Sequence, residues 1–129
     1  PGIYGTGSYD DLCMELVAYA AARDIRVDIR QSNHEGTLID EIQAADGVYD
    51  GIVINPGAYT HYSYAIMDAL GILSIPVVEV HMSNVHAREE FRHHSVLSTV
   101  SAGSIAGFGV DSYLLGLRAA CSLLERKDA

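Results

Sequence analysis

The sequence predicts an α/β domain whose strands form a parallel sheet. Short apolar or alternating segments, typical of strands, alternate along the chain with segments of helical periodicity. One strand candidate, residues 51–55, opens with the apolar run "GIVI", as expected for a strand that helices cover on both faces. Helices of about ten to fifteen residues separate the candidate strands, which is typical of right-handed crossovers between parallel strands.

The first helix is predicted from Ser8 to about Ala22. Ser8 followed by Asp11 resembles a capping box, and apolar residues recur from Leu12 onward at i, i+4 and i+7. Residues 25–30, "IRVDIR", alternate apolar and polar side chains as a strand does.

The later elements continue the alternation. Residues 37–45 carry the apolar stripe of a helix, and Pro-Gly at 56–57 ends the strand at 51–55. Further helices are predicted at 61–70 and 112–126, and further strands at 76–80 and 103–109.

Composition restricts the class of protein. At 129 residues the chain is one domain by length, residues 1–129, and its 49% hydrophobic and 19% charged residues are typical of a soluble globular protein. The net charge of −9 disfavours a nucleic-acid partner, and no apolar run is long enough to span a membrane. Cys13 and Cys121 lack CxxC spacing and are interpreted as reduced thiols of a cytoplasmic protein. The single lysine, Lys127, lies near the end of the chain, so Schiff-base catalysis is not expected.

Polar residues follow two of the predicted strands: Asn55 after "GIVI" and His81 after "VVEV". Ligands of open parallel sheets bind at the carboxyl ends of the strands. Glu79 and His81 lie two apart on one strand and share a face, where a carboxylate favours the protonated imidazole and fixes its orientation. His81 is therefore a candidate general acid. The alternative is an ordinary ion pair on the surface at the end of the strand.

His61 and Asp68 lie seven residues apart on a predicted helix, on the same face. Seven residues of helix rise about 10 Å, so the two side chains cannot meet in one small site. If both serve one ligand, they come from different subunits. A solvated polar face is the alternative that the spacing alone favours.

Residues 79–94 are rich in histidine, but they do not predict a metal site. They hold four of the six histidines, namely His81, His86, His93 and His94. The segment lacks HExxH, cysteine pairs and a short two-histidine spacing followed by a third ligand, so no metal is expected. Arg88 and Arg92 are better suited to bind oxygen-rich anions.

Three long segments resemble the type II 3-dehydroquinate dehydratases: "RQSNHEGTLIDEI" (30–42), "DGIVINPGAYTHYSYAIMDAL" (50–70) and "PVVEVHMSNVHAREEFRHHS" (76–95). "IYG" (3–5) and the glycine and aromatic spacing near 103–117 also fit, so the resemblance covers nearly the whole chain. It implies a flavodoxin-like, doubly wound parallel sheet of order 2-1-3-4-5 and a dodecamer built as a tetramer of trimers. The implied reaction is the reversible dehydration of a small molecule, 3-dehydroquinate, to 3-dehydroshikimate, the third step toward chorismate. The resemblance implies no metal and no organic cofactor.

The resemblance also implies catalytic roles. Tyr4 matches the base that takes the proton from C2. Arg88 matches the arginine that favours tyrosinate, since a phenol with a reference pKa of ~10 is a poor base. His81 matches the general acid that protonates the departing C1 hydroxyl, and Asn55 matches a residue that holds this part of the site. Glu79 is added to the catalytic set because its spacing places it beside His81 on the strand, not because of the resemblance.

Substrate binding is implied in the same way. Met82 and Ser83 match the pair whose backbone amides, with the serine hydroxyl, receive the substrate carboxylate. His61 and Arg92 match residues that grip the ring hydroxyls, and Asp68 matches an aspartate that reaches in from a neighbouring subunit. The lysine count agrees, because the type I enzymes use a lysine imine.

Two other classes of function stay open at this point. One is a non-enzymatic flavodoxin-like module for anion binding or assembly, and the other is a metal-dependent hydrolase. The family pattern also begins with a strand and a lid loop that carries a catalytic arginine, so roughly twenty further residues are expected upstream of "IYG". That strand is the central one of the sheet, and without it residues 25–30 lack a partner beside 51–55.

Overall fold

The computed structural model describes residues 9–57, 63–82 and 100–128. Their helices and strands, in chain order, are α1 (Tyr9–Ala21), α2 (Glu35–Ala45), β1 (Ile52–Ile54), α3 (Tyr64–Ile72), β2 (Val77–His81), β3 (Gly103–Ala106) and α4 (Asp111–Asp128). Helices and strands alternate through most of this order. The α/β class predicted from the sequence is confirmed.

The strands β1, β2 and β3 form one parallel sheet in that order. Ile54 of β1 lies opposite Glu79 of β2, and His81 of β2 lies opposite Ala106 of β3. Because the strands are parallel, their carboxyl ends meet along one edge. These three strands correspond to the third, fourth and fifth strands of the expected flavodoxin-like order.

Helices cover both faces of the sheet, which explains why its strands are apolar on both sides. Successive side chains of a strand point to opposite faces. Val77 of β2 packs with Ile42 of α2 and Ile66 of α3, whereas Val80 of β2 packs with Ala120 of α4. Burial of apolar surface on both faces is the main favourable contribution to stability here.

The helix α4 approaches the sheet closely at Gly116, where a Cβ would lie 2.5 Å from Val80 Cγ1 and 3.1 Å from Val53 Cγ1. Gly116→Ala is expected to lower the free energy of unfolding by about 1–3 kcal/mol, because overpacking outweighs a helix-propensity gain of up to about 1 kcal/mol. Gly36→Ala in α2 is the matched control, since a Cβ there meets nothing within 4 Å. Urea denaturation at one protein concentration measures both. A Gly116→Ala variant as stable as Gly36→Ala would contradict the close approach.

Residues 25–30 keep the predicted alternation but do not form a strand, so that prediction was wrong. Ile25, Val27 and Ile29 are half-buried against the cluster that α1 and α4 form, and the charged residues between them are exposed. A strand needs the backbone of a neighbouring strand to pair with, and none of the described strands pairs with this segment.

On its solvent side, this segment is tied to the turn after α2 through Asp28. The Asp28 carboxylate accepts hydrogen bonds from the Tyr49 hydroxyl and from the Arg26 guanidinium, the latter at 2.9 Å. These bonds, that of Tyr49 foremost, hold the pKa of Asp28 below its usual range. Because the contacts are exposed, they orient the segment more than they stabilise the fold.

The helix α3 begins after Ser63 rather than near His61, so its predicted start was wrong. Ser63 is the N-cap: its Oγ accepts a hydrogen bond from the Ile66 N–H at 3.1 Å and donates one to Glu35 at 2.6 Å. His61 precedes this cap and lies outside the described residues. The argument that helical rise separates His61 from Asp68 therefore no longer applies.

The strand β3 ends at Ala106 and is shorter than the predicted 103–109. Gly107 and Gly109 have φ angles of +97° and +60°, a left-handed conformation that glycine adopts without steric cost. The turn into α4 therefore begins inside the range predicted as a strand. The predicted capping box at Ser8 lies outside the described residues.

Two predictions from composition can be compared with the structure. Cys13 and Cys121 are both free thiols, as predicted. Burial raises the pKa of the Cys121 thiol. None of the helices in the described part of the chain is long and apolar enough to cross a membrane.

Candidate active site

Two residues predicted for the site lie at one edge of the sheet. Asn55 directly follows β1, and His81 is the last residue of β2. The two strands are parallel neighbours, with Ile54 opposite Glu79, so their carboxyl ends are adjacent. The two polar strand ends therefore meet, at the position where ligands bind in open parallel sheets.

Glu79 and His81 form a buried pair on one face of β2. Glu79 is 0% exposed and His81 is 9% exposed. Nε2 of His81 is hydrogen-bonded to Oε2 of Glu79. Their spacing predicted the shared face, whereas the alternative of a surface ion pair is wrong because the carboxylate is shielded from water. An ionised carboxylate only accepts hydrogen bonds, so Nε2 carries the proton in this contact. Nδ1 is the ring nitrogen that this contact does not use.

His81 and Asn55 approach this edge from opposite faces of the sheet. Val77 has the same parity as Glu79 and His81, and it packs in the cluster formed with α2 and α3. Val53, two residues before Asn55, packs in the cluster formed with α4. A ligand bound across the edge can therefore meet an imidazole from one face and an amide from the other.

The side chain of Asn55 is held at both ends of its amide. Nδ2 donates a hydrogen bond to the phenol oxygen of Tyr113 at 2.7 Å, and Oδ1 accepts one from the Gly57 N–H at 3.1 Å. The sequence prediction missed Tyr113 as a site residue and used it only as part of a spacing pattern. No local signal links it to Asn55, because 58 positions separate the two residues.

The turn between β3 and α4 fixes the backbone that follows Glu79. The Gly107 N–H donates to the His81 carbonyl at 3.2 Å, and the Gly109 N–H donates to the Met82 carbonyl at 2.8 Å. Both glycines have positive φ, which the tight turn beside β2 requires. Met82 thus lies in a fixed backbone directly after His81, while its role in carboxylate binding stays a prediction.

Asp68 lies on the outer face of α3, opposite the buried Ile66 and Leu70. Tyr64 and Ile72, one turn before and one turn after it, are 62% and 78% exposed. Asp68 is therefore the acidic centre of an exposed stripe with large apolar side chains on both sides. Its predicted contribution to a neighbouring subunit stays a prediction.

The remaining residues predicted for the site lie outside the described residues: Tyr4, His61, Ser83, Arg88 and Arg92. Of the four histidines in 79–94, the described part of the chain includes His81. Within 9–57, 63–82 and 100–128, no group of three or more His, Cys, Asp or Glu side chains could hold a metal ion.

The chain is similar in sequence and in structure to several known proteins. The sequence model of the family described as Dehydroquinase class II matches residues 1–121. A 3-dehydroquinate dehydratase of Halalkalibacterium halodurans is 54% identical over 119 residues, which cover 92% of this chain and 82% of that protein. The crystal structure of a type II dehydroquinase from Butyrivibrio crossotus has a TM-score of 0.86 and 50% identity, and the match covers 91% of this chain and 82% of that chain. A 3-dehydroquinate dehydratase-like protein from Bifidobacterium longum has a TM-score of 0.73 and 33% identity, covering 89% of this chain and 86% of that chain.

Fold, site and comparisons lead to one assignment. A parallel sheet covered by helices, with a buried carboxylate–imidazole pair at its carboxyl edge, defines an α/β protein with the groups needed for proton transfer. The chain belongs to the class II dehydroquinase family. The resemblance found in the sequence is thereby confirmed.

Proposed function

We propose that this protein is a hydro-lyase that reversibly removes water from 3-dehydroquinate to give 3-dehydroshikimate, the third step toward chorismate. The observation that carries the proposal is the buried, hydrogen-bonded pair of Glu79 and His81 at the carboxyl edge of the sheet. Loss of water needs a proton donor beside the departing hydroxyl, and a protonated imidazole is such a donor near neutral pH. The names of several proteins that this chain is similar to carry the same activity.

The reaction proceeds through an enolate. Tyr4, as tyrosinate favoured by Arg88, takes the proton from C2, and the electrons of that C–H bond pass to the carbonyl. The C1–O bond then breaks as the enolate collapses, and His81 gives its proton to the oxygen, which leaves as water. No metal or organic cofactor takes part in this scheme.

The described residues support the second half of this scheme. Glu79 holds Nε2 of His81, so Nδ1 is the ring nitrogen that gives its proton to the departing hydroxyl in this scheme. The fully buried carboxylate also offsets the positive charge of the protonated ring. Asn55 acts from the other face and holds the region of the departing hydroxyl.

Substrate binding is assigned to residues around this edge. The backbone amides of Met82 and Ser83, with the Ser83 hydroxyl, receive the substrate carboxylate. His61 and Arg92 bind the ring hydroxyls. The hydrogen bonds from the Gly107 N–H to the His81 carbonyl and from the Gly109 N–H to the Met82 carbonyl support this assignment, because they fix the backbone on both sides of Met82.

The proposed assembly is a cytoplasmic homo-oligomer, a dodecamer formed as a tetramer of trimers, in which Asp68 reaches the site of a neighbouring subunit. The exposure of Asp68 between Tyr64 and Ile72 supports this proposal, because a subunit contact would bury both apolar side chains. The free state of Cys13 and Cys121 agrees with a reducing compartment.

Shared sites can be tested by mixing subunits. Asp68→Ala and His81→Ala are each expected to abolish most activity alone. The two variants are mixed in equal amounts, dissociated and reassembled. At random, about a quarter of the sites then combine an intact His81 from one subunit with an intact Asp68 from its neighbour. About a quarter of wild-type activity is therefore expected to return. Native mass spectrometry confirms that the subunits have mixed. Mixed oligomers without regained activity would show that Asp68 does not serve a neighbouring site.

The activity itself is tested by ultraviolet absorbance, since the product is a conjugated enone and the substrate is not. A rise after the protein meets 3-dehydroquinate is expected, and it is expected to persist in EDTA. Loss of the signal in EDTA would instead favour a metal-dependent enzyme. An absorbance that stays flat at micromolar protein would refute the proposed function.

A further inference from the structure

We infer that Tyr113 is a positioning residue for Asn55, fixing the rotation of the asparagine amide about χ2 in the proposed dehydration. The inference rests on the proposed function, in which Asn55 holds the region of the departing hydroxyl. The contact that motivates it is the hydrogen bond of 2.7 Å between Asn55 Nδ2 and the Tyr113 phenol oxygen. Nothing in the resemblance gives the tyrosine a role.

The direction of this hydrogen bond follows from the other end of the amide. The Gly57 N–H can only donate, so the Asn55 atom 3.1 Å from it must be the oxygen. The amide nitrogen then faces Tyr113, and the phenol oxygen is the acceptor. The contact with the Gly57 N–H thus excludes the flipped amide, because flipping would place a donor against that N–H. The Tyr113 hydroxyl, which can donate or accept, holds the second end of the amide against rotation.

The phenol oxygen is itself held firmly in place. The Tyr113 ring lies in the first turn of α4 and packs against two buried clusters. One includes Leu16 and Leu117, between α1 and α4, and the other includes Val80 of the sheet. An aromatic ring clamped on two sides has few rotamers, so its oxygen is a rigid reference point for the amide.

Among the residues that the structure describes, these two contacts use one N–H and one lone pair of the Asn55 amide, so a second N–H and a second lone pair can serve a ligand. With the amide fixed, the remaining N–H and lone pair have fixed directions at the carboxyl end of β1. Without the Tyr113 oxygen, the Nδ2 side loses its anchor and the amide can turn about χ2. Tyr113 acts on the reaction only through this orientation and does not touch the substrate.

A double-mutant cycle tests the coupling. Tyr113→Phe keeps the ring and removes the oxygen, and it is expected to lower kcat about 3- to 10-fold with little change in KM, the effect of one hydrogen bond. In an Asn55→Ala background, the same change is expected to have no further effect on kcat, because the amide is already gone. Equal losses of kcat in both backgrounds would overturn the inference.

Tyr19→Phe is the matched control. Tyr19 is a half-buried tyrosine of α1 that packs against the same cluster as Tyr113 but is 3.6 Å from the Arg23 guanidinium rather than near Asn55. It is expected to keep wild-type kcat and to change thermal stability no less than Tyr113→Phe does. A loss of kcat in Tyr19→Phe that matches the loss in Tyr113→Phe would show a general packing effect and would overturn the inference.

The crystal structure of Tyr113→Phe separates a failed inference from a failed function. A rotated Asn55 amide, or one with two conformers, is expected and supports the positioning role even if 3-dehydroquinate proves not to be the substrate. An amide unchanged from wild type overturns the inference even if the dehydration is confirmed. A wild-type protein inactive on 3-dehydroquinate refutes the proposed function by itself.

Discussion

Alanine in place of His81 is expected to lower kcat for the dehydration of 3-dehydroquinate by about 10²–10⁴-fold, with a much smaller change in KM. The imidazole gives its proton only as the C1–O bond breaks, so its loss affects the transition state rather than the bound substrate. Loss of the hydrogen bond between His81 and the buried Glu79 is also expected to lower stability. The rate of enone formation at saturating substrate gives kcat, and thermal unfolding shows how much of the protein stays folded.

His34→Ala is the matched control for this substitution. His34 is an exposed histidine that precedes α2, and its side chain makes no capping hydrogen bond. It is expected to keep the wild-type kcat and stability. A His81→Ala protein that turns over as fast as His34→Ala would remove His81 as the acid while leaving the family assignment intact.

Local sequence patterns predicted the parts of the molecule that depend on one segment at a time. The apolar runs in 51–55 and 76–80 became the neighbouring parallel strands β1 and β2. The spacing of Glu79 and His81 placed both on one face, because alternation along a strand needs no knowledge of the rest of the chain. Their burial could not be predicted in this way, since it depends on how other segments of the chain pack over that face.

Local sequence patterns missed the features that depend on two distant segments. Residues 25–30 have the alternation of a strand, but strand formation requires the backbone of a neighbour, and a pattern of side chains cannot supply one. The contact of Asn55 with Tyr113 joins β1 to α4 across 58 positions, so no spacing reveals it. The start of α3 was misplaced because the hydroxyl of Ser63 serves both as the N-cap and as a donor to Glu35.

The family resemblance assigned catalytic roles to residues for which local sequence patterns predict none. Tyr4 and Arg88 carry the first half of the proposed mechanism. Charge pointed to Arg88 only as an anion-binding residue, and no local pattern would have assigned Tyr4 as the base. For the described residues, the resemblance and the physical argument agree at His81, where spacing, burial and hydrogen bonding all indicate a held imidazole. This agreement is why the predictions with the largest expected effects concern the Glu79–His81 pair.

Glutamine in place of Glu79 is expected to lower kcat about 10- to 100-fold while changing the melting temperature little, because the amide keeps the volume but cannot neutralise the protonated ring. Removing a buried charge relieves its desolvation cost, so the folded state need not lose stability. Glu79→Asp keeps the charge, but its side chain is one methylene shorter and no longer reaches His81 Nε2. It is expected to lower the melting temperature more than Glu79→Gln does. The rate of enone formation gives the kcat of each variant, and thermal unfolding gives its melting temperature.

The contrast between the variants is what assigns Glu79 its role. If the carboxylate served only to fill its buried position, the isosteric glutamine would keep both stability and kcat. If the carboxylate orients His81 and stabilises its protonated form, Glu79→Gln is expected to lower kcat while the melting temperature stays close to that of the wild type. Glu41→Gln is the control, since Glu41 is an exposed glutamate whose carboxylate lies 3.4 Å from Arg30, and loss of such a surface pair has little effect. A Glu79→Gln protein with the kcat of Glu41→Gln would restrict Glu79 to a packing role and leave His81 to act as the acid without it.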